Sequence, residues 1–146
     1  MEEIKIESQP CTTERQSYGL LALGLKKETA DMCYITTGHG KMVSGCSYIC
    51  EAKYESKTPD LKFMPAWSLH RLMAMCPGTV FQEEVGTTLC LSISHRVVFY
   101  EDADNKYTEC FNSHDDLYSN LIDCISWLVR KDFFNKDYLD ETKMTS

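Results

Sequence analysis

Between residues 88 and 128 the hydrophobic period switches from two to about 3.6, with only short polar stretches between the segments. Leu89, Leu91 and Ile93 alternate with Thr88, Cys90, Ser92 and Ser94, the pattern of a half-buried strand. A second β-branched and aromatic run covers 97–100, and Glu101-Asp102-Ala103-Asp104-Asn105 divides it from a third over 106–111. Asp and Asn favour the local hydrogen bonds and positive φ angles of a tight turn, so these two runs predict a hairpin. Leu117, Leu121, Cys124, Ile125 and Leu128 then recur at helical spacing, with Ser113 as the expected cap and Asp115 and Asp116 in the electropositive first turn. Strands joined this closely pair antiparallel, because a parallel crossover needs a dozen or more residues.

The first half gives weaker signals. Thr13-Glu14-Arg15-Gln16 is a capping box, followed by Tyr18, Leu20, Leu21 and Leu23, which predicts a helix over 13–23 closed by Gly24 with an apolar contact from Leu25. A turn of helix is expected over 29–32, a strand over 33–37, a break at Gly38-His39-Gly40, and a second strand over 47–54 preceded by Gly45. Pro65-Ala66-Trp67-Ser68 reads as a helix entrance, with Leu69, Leu72, Met73, Met75 and Cys76 on the apolar face and Pro77-Gly78 as the stop. Together these predict a single α+β domain, an antiparallel sheet of four to five strands with two to three helices packed on one face. The domain is expected over 12–139, between a flexible arm over 1–11 and a flexible tail over 140–146.

At 146 residues, with 43% hydrophobic and 25% charged side chains, the chain fits one core. No apolar run approaches the ~20 residues that span a bilayer, and the first residues, Met1-Glu2-Glu3-Ile4-Lys5, lack the basic start of a secretory signal. The expected location is the cytoplasm, away from membranes. Eight cysteines in a chain long enough to build its own core are expected as free thiols rather than as a disulfide scaffold. A net charge of −7 opposes a phosphate backbone, which argues against direct nucleic-acid binding.

The segments Thr13-Glu14-Arg15-Gln16-Ser17, Leu23-Gly24-Leu25 with Thr29-Ala30-Asp31-Met32, Pro65-Ala66-Trp67-Ser68-Leu69 running to Leu72 and Pro77, and Ile122-Asp123 before Trp127-Leu128 form a pattern spread over roughly 12–130. In this pattern the chain resembles a group of small uncharacterised proteins of phages and integrated mobile elements in Bacteroides-like gut bacteria. The matching words mark helix boundaries and carry no chemistry. What the resemblance implies is a setting inside a bacterial host, where accessory proteins act on host machinery or host defence.

No chemical motif names a reaction, and an enzyme is not expected. Cys33, His39, Cys46 and Cys50 are metal-capable, but Cys46 and Cys50 lie four apart in a predicted strand, about 13 Å at ~3.3 Å per residue, so neither metal nor cofactor is expected. Asp102-x-Asp104-x-Lys106 begins like a calcium loop, yet Tyr107 replaces the sixth-position glycine and Ser113 the bidentate glutamate. None of His39, His70, His95 and His114 sits in a nucleophile motif; a small hydrolase using His39 or a cysteine ranks third.

The leading expectation is a non-enzymatic protein acting on a protein partner or on itself as a homodimer. Tyr100, Tyr107, Phe133, Phe134 and Tyr138 are its candidate interface, since aromatics are enriched where proteins meet. The second is a protein that binds or sequesters a signalling nucleotide through Gly38, His39, Gly40 and Lys41, whose backbone donors and lysine suit a phosphate without the spacing of a P-loop.

Overall fold

The computed structural model describes residues 9–37, 42–48, 61–104 and 106–140. Among these residues three α-helices and two antiparallel sheets make an α+β fold, as the order of hydrophobic periods predicts. The strands are divided between two sheets where the sequence pointed to one. Helix α1 (Glu14–Ala22) precedes a three-stranded sheet of β1 (Met32–Thr37), β2 (Met42–Tyr48) and β3 (Leu61–Ala66) in the order β2-β1-β3. Helix α2 (Leu69–Met75) leads into β4 (Thr79–Gln82), β5 (Thr87–Ser94), β6 (Val97–Glu101) and β7 (Thr108–Phe111), paired in sequence order, and α3 (Leu117–Arg130) follows.

The capping box forms as predicted: Gln16 N donates to Thr13 Oγ1 over 3.1 Å, and Thr13 N donates to Gln16 Oε1 over 3.0 Å. Gly24 closes α1 at φ +103°, where a Cβ would clash. Its N–H reaches the Leu21 carbonyl, the Leu25 N–H reaches that of Leu20, and Leu25 is buried against the core.

Three local expectations are corrected. Pro65 and Ala66 belong to β3, where Pro65 faces Cys33 of β1. As an edge strand β3 tolerates a residue without an N–H, and Ser68 is then the N-cap of α2, its Oγ accepting from Arg71 N. Gly45 lies inside β2, at the first of two register irregularities against β1, a place that favours a residue without a side chain; of the second strand expected over 47–54, residues 49–54 lie outside the described residues. The cap of α3 is Asp116, not Ser113. Between them runs a connection held by Asn120, fully buried, which accepts from His114 N and donates to the carbonyls of His114 and Arg96.

Trp67 joins the two halves. It is fully buried; its indole N–H donates to Thr29 Oγ1 over 3.0 Å, while Thr12 N donates to its carbonyl and Thr12 Oγ1 accepts from its N–H. The main core lies between α3 and the inward side of the four-stranded sheet, where Leu20, Leu25, Trp67, Leu72, Leu89, Tyr100, Leu121, Ile125 and Leu128 are packed. Lys26 N donates to the Tyr138 carbonyl and Asp140 N to that of Gly24, so the chain stays attached through Asp140. At the other end, residues 9–11 depart from the expected arm: Tyr118 donates its hydroxyl to the Gln9 carbonyl, and Cys11 is fully buried.

Candidate functional site

The ligand loop predicted from Gly38, His39, Gly40 and Lys41 lies outside the described residues. The predicted interface residues are placed, and the core claims two of them. Tyr100 is 0% exposed, stacked at 5.6 Å on Trp127, with its hydroxyl donating to the Pro77 carbonyl over 2.6 Å. Phe134 is 3% exposed in the same cluster. Neither can meet a partner in this fold; each fills the space between α3 and its neighbours. Tyr107, Phe133 and Tyr138 are half-buried against that core. Their rings already have neighbours: Tyr107 donates to Glu109, Phe133 packs on Trp127, and Tyr138 lies between Phe134 and the Arg71 guanidinium.

The expectation of free thiols is also revised. Among the described residues Cys11 is disulfide-bonded, whereas Cys76, Cys90, Cys110 and Cys124 are free thiols. Hydrogen bonding to the neighbouring Cys76 thiol, then burial, pushes the Cys124 thiol far up, which keeps it protonated and unreactive. Burial likewise pushes the Tyr100 phenol up.

What the fold presents instead is the outward face of the four-stranded sheet. Helix α3 packs on β6 and β7 from one side, and strand alternation sends every second residue to the other. Four cross-strand rows build that outer face. Phe81 stands opposite Thr88; Thr79, Cys90, Glu101 and Thr108 form the next row; Ser92, Phe99 and Cys110 the third; and Ser94 pairs with Val97 at the far end. Phe81 is 55% exposed, on an edge strand, with Thr88 and Cys90 exposed on the neighbouring β5, and Cys110 is exposed on β7 at the other edge of the sheet. Glu101 is the one charged residue among these eleven positions. The sequence had marked Thr88, Cys90, Ser92 and Ser94 as one side of a strand; lining them up with β4, β6 and β7 needed the register.

A shallow cleft of about 200 Å³ between α1 and α3 is lined by Arg15, Gln16, Gly19, His114, Ser119, Ile122 and Asp123. His114 Nε2 lies 3.0 Å from Asp123 Oδ2, with both side chains nearly half exposed. This volume falls below the roughly 300–1,000 Å³ of small-molecule sites, so the cleft does not enclose a nucleotide. Among the described residues no group of three or more His, Cys, Asp or Glu side chains is placed to hold a metal, and no helix is long and apolar enough to cross a membrane.

Comparisons with protein-family models, with curated proteins and with solved structures find no match to this chain.

Proposed function

We propose that this is a non-enzymatic accessory protein of a phage or mobile element, acting by binding a protein partner or by self-association, with host defence as the setting. The observation that carries this reading is the outward sheet face, where Phe81, Phe99 and Val97 stand among threonine, serine and cysteine with Glu101 as the lone charge. Edge strands of a monomer are usually guarded by charge, and a sheet face with one charge among eleven positions and an exposed phenylalanine at its edge is the kind of surface that a second protein covers. The resemblance at the helix boundaries supplies the mobile-element setting.

The compartment that goes with this reading is the host cytoplasm. The free thiols of Cys76, Cys90, Cys110 and Cys124, two of them exposed, suit a reducing environment, while the Cys11 disulfide pulls the other way. A thiol count on protein purified from the host cytoplasm with and without reductant would show which condition the cell maintains.

Immobilised protein incubated with host lysate, alongside light scattering of the purified chain, tests the binding reading. The expected result is a retained partner or a self-associated species, lost when Phe81 becomes Glu. A monomer that retains nothing defeats it. Nucleotide sequestration, the second reading from sequence, rests on a loop outside the described residues; thermal shift against cyclic nucleotides is its test, and an unmoved melting temperature rejects it.

A further inference from the structure

We infer that the open edge of β4 takes up an extended, basic segment of another protein as a fifth strand, which rests on the reading of this chain as a binding protein and names the chemistry of its partner. β4 is an outer strand of the four-stranded sheet. Leu91 N donates to the Gly78 carbonyl, and the register sets Thr79 opposite Cys90 and Phe81 opposite Thr88. Antiparallel ladders alternate bonded and non-bonded pairs, so Gly78, Val80 and Gln82 bond toward β5 while the N–H and C=O groups of Thr79 and Phe81 point away from it. Among the described residues no backbone group bonds to these four.

Two donors and two acceptors that repeat at about 7 Å along a line match another extended backbone, which offers its own groups at the same spacing. Natural edges are usually guarded by lysine, proline or a bulge. β4, Thr79-Val80-Phe81-Gln82, carries none of these, and its register with β5 is unbroken. Phe81 is 55% exposed, and Val85 in the turn that follows is 46% exposed, so an apolar side chain of the incoming strand has a neighbour there.

Charge selects the partner. Glu83 and Glu84 are exposed just past the strand. Glu84 meets Lys131 at 3.7 Å, an exposed and weak pair, and Glu83 has no ion pair among the described residues. The chain as a whole carries −7, which attracts a cationic segment and repels a second copy. A Lys or Arg two residues from an apolar side chain therefore suits this edge, with the apolar group on Phe81 and the cation near Glu83. Strand addition draws its affinity from main-chain hydrogen bonds, so a four-residue edge gives weak, reversible binding.

Hydrogen exchange of the full chain, followed by NMR, reads the edge residue by residue. In the free chain the Thr79 and Phe81 amides should exchange fast and those of Val80 and Gln82 slowly. The probe is a capped heptapeptide of alternating lysine and valine. At saturation it should slow Thr79 and Phe81 by about tenfold or more and leave Val80 and Gln82 unmoved. The same peptide with every internal amide N-methylated keeps its charge but cannot enter a ladder, and a glutamate-valine peptide keeps the ladder but reverses the charge. Each should bind about tenfold more weakly or worse, and binding of the lysine peptide should fall with salt. Thr79→Pro removes one outward N–H at the first residue of the strand, where proline is tolerated, and should weaken binding severalfold. The peptide series is run on the native chain, so it decides even if that variant fails to fold.

Slow exchange at Thr79 and Phe81 in the free chain, no slowing by the lysine peptide, or equal binding of either control peptide overturns the inference. So does protection of these amides that rises with chain concentration alone, since a second copy is then the occupant. A chain that ignores all three peptides but retains a host protein lost with Phe81→Glu refutes this inference and keeps the binding reading. One that ignores the peptides, stays monomeric and retains nothing refutes both.

Discussion

The Gln16 side-chain amide donates to the Asp116 carboxylate over 3.2 Å, so the residue that closes the capping box of α1 also braces the cap of α3. The same nitrogen lies 2.9 Å from Ser119 Oγ. Glutamate at this position would keep an acceptor for Thr13 N and complete an ordinary capping box. It would also set a carboxylate against Asp116, a repulsion of about 1–4 kcal/mol at 4 Å, depending on the effective dielectric. Gln16→Glu is therefore expected to lower stability by about 1–2 kcal/mol at neutral pH and to recover part of it as either carboxylate is protonated. Urea unfolding at pH 7 and pH 4 measures both, and a variant as stable as the native chain at pH 7 would show that no brace exists.

Asp116 gives the native chain a definite acid response. Partial burial raises its carboxyl, but hydrogen bonds from the Ser119 backbone, the Ser119 hydroxyl and Gln16 outweigh that and hold it below the ordinary aspartate value. With the folded value depressed, its stabilisation is present above the unfolded value and is lost as pH falls through the folded one. Asp116→Asn retains an oxygen for the cap and removes the titration, so its melting temperature should fall less than the native protein's across the acid carboxylate range. Parallel curves would assign the acid sensitivity elsewhere.

Asn120 is expected to be among the costliest polar positions to change. It is fully buried, and its amide satisfies His114 N, the His114 carbonyl and the Arg96 carbonyl at 3.0, 3.1 and 2.7 Å. Alanine removes all three bonds and leaves a cavity, for a loss of about 2–4 kcal/mol. Chemical denaturation checks it; a loss below about 0.5 kcal/mol would mean that water replaces the amide without penalty.

At the other end of α3, Asp132 adopts φ +64° just past the helix, where Asp132 N donates to the Val129 carbonyl and Phe133 N to that of Leu128. Glycine takes this conformation without Cβ strain, and removing a negative charge from the negative end of the helix also helps. The ion pair lost with Lys136, at 3.5 Å between side chains 70% and 67% exposed, is worth little. Asp132→Gly should stabilise by about 0.5–1 kcal/mol and raise the melting temperature by about 2–4 °C. A lowered melting temperature would show that the carboxylate contributes more than its conformation costs.

The sequence by itself determined the features whose energetics are local. The capping box at Thr13 and Gln16, the Gly24 closure and the β6–β7 hairpin, where Asp102 Oδ1 accepts from Lys106 N and Tyr107 N, each depend on a few neighbouring residues, and each forms as read. Period-two alternation likewise identified the two sides of β5. Tertiary structure decided the choices that local chemistry leaves degenerate. Ser113 and Asp116 are both able to cap a helix, and Asp116 is the one that Gln16, a hundred residues away, comes to meet. Pro65 suits a helix start and an edge strand equally, and pairing with β1 selected the strand. An aromatic side chain carries no local sign of whether it is buried or displayed, so Tyr100 and Phe134, expected at a surface, went to the core that α3 closes. The outer face, with Glu101 as its one charge, exists only once β4 to β7 are in register, because a face is a property of strands side by side and not of any one of them.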